Sequence, residues 1–143
     1  MPESSEQKQL TPAEFLQQFS SSAPSQDQLK SWQSQAPGNR IRVFQTTDLK
    51  RIFVLRGMGG TELTEIQAKL SPTIPPERIQ GELMIQIAVR CCLWTNVSTD
   101  GKLTDLMLRA AGAGLPETLN QVINVLSDYC SPDTIERLCI ELD

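Results

Sequence analysis

The sequence predicts an α+β fold, mainly α with one β-hairpin: a compact helical domain carrying a polar N-terminal arm. Three observations point there. Apolar residues recur at helical spacing from about residue 60 onward, between Gly and Pro stops. One β-branched and aromatic stretch, residues 40–56, stands apart from that pattern. The first 39 residues are rich in Gln and Ser, which divides the chain into an arm, 1–39, and a hairpin-plus-helix body, 40–143.

Within the arm, polar runs (MPESSEQKQ, SSSAPSQ, SQAPGN) flank a short helix in TPAEFLQQF. Thr11 is its cap, Pro12 occupies the first helical position, and Glu14 favours the positive helix end. Phe15, Leu16 and Phe19 fall on one side. A second amphipathic piece surrounds Leu29 and Trp32. Helices this short are marginal alone in water. The arm therefore orders on contact, against this chain's own core or against a partner.

RIRVFQ and RIFVLR, separated by the polar turn TTDLK, read as the hairpin and as the one strand-like region. Ile41 and Val43 alternate with Arg40 and Arg42, so one face is covered and the other solvated. The second run, Ile52 to Leu55, is apolar on both faces. A lone hairpin is marginal, so it must pack on helices or join a larger sheet, and its edge is a place for another chain to pair.

Beyond Gly57 the reading is helical throughout. Thr61 caps a helix carrying Leu63, Ile66 and Leu70. Pro75-Pro76 opens the longest helix, about residues 76–95, with Ile79, Leu83, Ile87, Cys91 and Trp94 in one stripe, widened by Met84, Ala88 and Val89. Asp100-Gly101 marks a turn. Helices follow from about Leu103 to Ala111 and from Pro116, with Leu119, Val122, Ile123 and Leu126 on one face. Ser131-Pro132-Asp133 starts a last helix whose buried side is Ile135, Leu138, Cys139 and Leu142.

Composition narrows the function. With 13 basic and 17 acidic residues, well mixed, the chain lacks the basic footprint of a nucleic-acid binder and has little to offer an anionic membrane surface. No apolar run reaches the length of a membrane span and no secretion leader is legible, so a cytosolic setting is expected. There is no histidine, which removes Ser–His and Cys–His machinery. Cys91, Cys92, Cys130 and Cys139 lie in apolar helical segments without zinc-type spacing and read as buried thiols. Glu62 with Glu65, and Asp133, Glu136 and Glu141, read as solvated helix faces or end charges. Gly57-Met58-Gly59-Gly60 follows a strand and precedes a helix but carries no phosphate-loop pattern, so it reads as a junction. The expectation is a non-enzymatic protein with no cofactor and no metal. As stacking platforms for bases or sugars the two tryptophans divide: Trp94 reads as core or its rim, and Trp32, with little aromatic company nearby, reads equally as an anchor of the arm on another surface or as docked within this chain. The candidate partner-binding residues are Phe15, Phe19 and Trp32 of the arm and Ile41 and Val43 of the hairpin.

RIFVLRGMGGTELTEI, IAVRCCLW and GAGLPETLNQVINVLSDY together resemble the small proteins of bacteriophage tail gene clusters, both tail assembly chaperones and baseplate proteins. The resemblance implies a structural or adaptor component of a phage-like contractile tail or baseplate, or its assembly factor. Its partners would be other tail or baseplate proteins, such as the tape measure, and its location the virion tail or the host cytoplasm. It leaves open a homo-oligomeric arrangement in an assembly. Two alternatives stand beside it: a transient tape-measure chaperone absent from the finished particle, and a cellular helical adaptor unrelated to phage.

Overall fold

The computed structural model describes residues 10–127. The helix predicted after Ser131 and the thiols of Cys130 and Cys139 lie outside them. The described chain is α+β. In order it runs α1 (Pro12–Gln17), α2 (Gln26–Gln35), a single 3-10 turn (Pro37–Asn39), β1 (Ile41–Gln45), β2 (Ile52–Arg56), α3 (Glu62–Lys69), α4 (Pro76–Cys91), β3 (Cys92–Thr95), α5 (Asp105–Ala110) and α6 (Gly114–Leu126).

The sheet is antiparallel with order β1-β2-β3. Side chains alternate across it because successive strand residues point to opposite faces. Phe53 and Leu55 of β2, with Phe44 of β1, face the layer made by α3, α4, α5 and α6. Ile52 and Val54, with Ile41 and Val43, face the two arm helices. β2 is thus covered on both sides, and all of Ile52, Phe53, Val54 and Leu55 are fully buried. The body and the arm share one sheet between two apolar layers.

One correction concerns residues 92–95. The apolar stripe predicts a helix running on to about residue 95, but α4 ends at Cys91 and the chain turns directly into β3. The hairpin is therefore not the sole strand region. A strand buried on both faces cannot leave its second edge of N–H and C=O groups unpaired away from water. β3 supplies the partner, placing Thr95 opposite Phe53, Trp94 opposite Val54 and Cys92 opposite Leu55. The register shift at Leu93 is a bulge. It lets both Leu93 and Trp94 pack on the arm side while Cys92 packs on the helical side. Asn96 prolongs the ladder, accepting from the Ile52 N–H at 2.9 Å and donating to the Lys50 carbonyl at 2.8 Å.

Local chemistry explains the element ends. Thr11 and Glu14 cap α1 reciprocally: the Glu14 N–H donates to Thr11 Oγ1 at 3.2 Å and the Thr11 N–H to Glu14 Oε1 at 2.9 Å. Ser25 caps α2 by accepting the Gln28 N–H at 3.1 Å. Thr61, the expected cap of α3, makes no such bond; Glu62 instead accepts the Gly59 N–H at 2.7 Å. α4 crosses α6 around the buried Asn120, whose amide donates to the Met84 and Pro116 carbonyls at 2.8 and 2.9 Å.

Candidate interaction surface

Phe15, Phe19, Trp32, Ile41 and Val43 converge on one place. All five pack, half-buried, around Ala13, Leu16, Leu29, Ile52, Val54 and Trp94. Phe15 and Phe19 meet edge to face with ring centroids 5.2 Å apart. The arm aromatics and the hairpin's apolar face, separated in sequence, are therefore each other's partners within this chain. What they leave outside is the rim of Trp32, beside Gln35, Pro37 and Leu93.

On the far end of β2 the Gly57–Gly60 junction holds a charge cluster. Glu62 receives two bonds from Arg56, Nη1 to Oε1 at 2.6 Å and Nη2 to Oε2 at 2.8 Å. Arg90 Nε reaches Glu62 Oε2 at 2.7 Å, and its Nη2 reaches Glu65 at 2.7 Å. Glu62 is therefore not the solvated face residue expected from its spacing; it is mostly covered and joins β2, α3 and α4. Arg56 above all, then the Gly59 N–H and Arg90, hold its carboxyl at about 2 against the opposing pull of burial. The glycines serve this geometry: a side chain at Gly57 would strike the Leu126 carbonyl, since an added Cβ would sit 2.3 Å from that oxygen.

The two described cysteines are quiet. Burial pushes the Cys91 thiol up to about 11 and the Cys92 thiol up to about 12. At neutral pH both stay protonated, which suppresses nucleophilic and ligating character. Among the described residues no three His, Cys, Asp or Glu side chains gather as a metal-binding group, and no helix is long and apolar enough to cross a membrane.

The open apolar surface lies elsewhere, on the first half of α4. The stripe predicted to be central divides: Ile87, Ala88 and Cys91 are buried, whereas Leu83 is half-buried and Ile79 is 41% exposed. Met84 and Ile85 line a cavity of about 510 Å³ between α4 and the α5–α6 connection, with Leu108, Ala111 and Pro116. Across its mouth Arg109 grips Glu82 through paired bonds of 2.6 and 2.7 Å. Leu106 of α5 is 73% exposed.

Reading the sequence alone missed this surface because it treats every apolar position of a helical stripe alike. The signal present was the company these residues keep: Glu77, Arg78, Gly81 and Glu82 crowd the first half of α4, and the second half lacks such a run. It also passed over Arg56 and Arg90, which charge counting along the chain does not bring together. No protein-family model matches the chain, and neither a curated protein nor a solved structure matches it.

Proposed function

We propose that this protein acts by binding other proteins rather than by catalysis, as a small structural or assembly component of a phage-like tail or baseplate. The observation that carries the binding half is the apolar surface of α4. Ile79 is exposed on this half of the helix, and Met84 and Ile85 line a largely apolar cavity beside the Glu82–Arg109 pair. Interfaces combine these features: an apolar centre bounded by polar groups with settled geometry. Two thiols kept protonated by burial and a carboxylate held ionised by arginines suit a structural role better than proton transfer near neutral pH. The tail half rests on the resemblance carried by residues 51–66, 87–94 and 112–129.

Tagged protein drawn from its native host, with mass spectrometry of the eluate and of purified tail particles, tests the reading. Presence in finished particles supports a resident component. Capture of an unassembled tail protein alone supports a chaperone, and absence of this protein from the particles together with absence of tail proteins from the eluate overturns the tail reading. Met84→Glu and Ile79→Glu should reduce the capture while leaving the fold intact.

A further inference from the structure

Both tryptophans of the chain line one cavity. Trp32 comes from α2 and Trp94 from β3, and with the turn after β3 they border an open hollow of about 400 Å³, within the roughly 300–1,000 Å³ of small-molecule sites. Ser22, Ser25, Gln28, Asp100 and Lys102 complete the polar part of the lining. The Trp94 indole N–H is the one buried side-chain nitrogen or oxygen among the described residues without a hydrogen-bond partner. Such an orphan calls for an explanation, since buried polar groups are nearly always paired. Gly101 packs flat on that indole, and an added Cβ there would lie 2.4 Å from Trp94 Cδ1, so only glycine allows the turn to close beside it.

The chemistry of the lining selects the ligand. Trp32 is half-buried and brings an indole to the lining, an aromatic surface against which the C–H groups of a sugar ring can pack. Gln28 both donates and accepts, Lys102 donates, and Asp100 accepts. A purely anionic ligand would meet the Asp100 carboxylate, which the Lys102 N–H and the Ser98 hydroxyl hold below the usual carboxylate range. A purely apolar one would strip water from Lys102 and Gln28 without replacing its bonds. A neutral ring bearing several hydroxyls satisfies donors and acceptors together. We infer that the cavity between Trp32 and Trp94 is a binding site for a neutral saccharide unit. It is independent of the α4 surface and of the tail reading.

Both of the chain's tryptophans line this cavity, so a ligand seated in it changes the indole emission. Full-length protein is titrated with glucose, galactose, mannose, N-acetylglucosamine, maltose, lactose and cellobiose, to about 10 mM, tenfold above a weak-site dissociation constant near 1 mM. The expected result is a saturable emission change with at least one of them. Gln28→Ala and Lys102→Met should each weaken half-saturation roughly five- to tenfold, the worth of one hydrogen bond. Both lie on the surface, and an unchanged urea midpoint shows that they fold. No saturable change with any of these sugars overturns the inference. So does equal binding by both variants, or an equal response to sodium acetate, which would make the site an anion site.

Discussion

Arg56 and Glu62 meet in a two-pronged ion pair, at 2.6 and 2.8 Å, that ties the end of β2 to the first turn of α3. Arg90 closes the arrangement from α4. Two consecutive elements and a third farther along the chain therefore share one carboxylate, and its ionisation becomes a property of the fold.

That coupling sets a pH dependence. The Glu62 carboxyl is lowered from an ordinary 4.5 to about 2, so its stabilisation is present in full above pH 4.5 and is lost as pH falls toward 2. Glu62→Gln is expected to cost about 2–3 kcal/mol at pH 7, because the half-buried Arg56 loses its anion and Arg90 keeps only Glu65. It should also flatten the acid limb. Urea midpoints of parent and variant at pH 7 and pH 3 check both, and parallel pH curves would refute the assignment.

The arm is predicted to be part of the core. Removing residues 1–39 strips cover from Ile52, Val54 and Trp94, all buried beneath α1 and α2. The expected outcome is a broadened thermal transition, a drop of several degrees in its midpoint, and new binding of an apolar dye. A truncated protein that melts as sharply and as high as the parent would show that the helical layer suffices.

The two halves of α4 should respond unequally to charge. Ile87→Asp places an unpaired carboxylate in the core and is expected to cost more than about 3 kcal/mol. Ile79→Asp, at a position 41% exposed, should change stability by less than about 0.5 kcal/mol. Chemical denaturation of the two variants separates a buried turn from an open one.

Glycines give a third contrast. Gly101 has φ of +78° and lies against the Trp94 ring, so Gly101→Ala should destabilise by about 1–3 kcal/mol. Gly81, inside α4 with nothing within 4 Å of an added Cβ, should gain about 0.5–1 kcal/mol as alanine. A shift of the same sign in both variants would contradict the geometry.

Much of this architecture is legible in particular residues. Thr11, Pro12 and Glu14 specify the start of α1 through bonds that span three residues, so no distant contact is needed. The alternation of Ile41 and Val43 with Arg42, and the unbroken apolar run of β2, announce a strand pair whose second member is covered on both sides. Leu119, Ile123 and Leu126 announce the buried face of α6.

The open apolar surface of α4 and the charge cluster were not legible, because each depends on which segments become neighbours. Cys92–Thr95 continues a helical stripe by composition, and becomes a strand because the second edge of β2 needs partners that only tertiary packing can bring. The arm aromatics announce an appetite for apolar surface without naming it. Only the folded chain decides that Phe15, Phe19 and Trp32 are met by its own sheet. Local hydrogen bonding and side-chain period are short-ranged and determined by the sequence itself; the pairing of edges, charges and apolar faces is decided by competition among distant segments for the same surfaces.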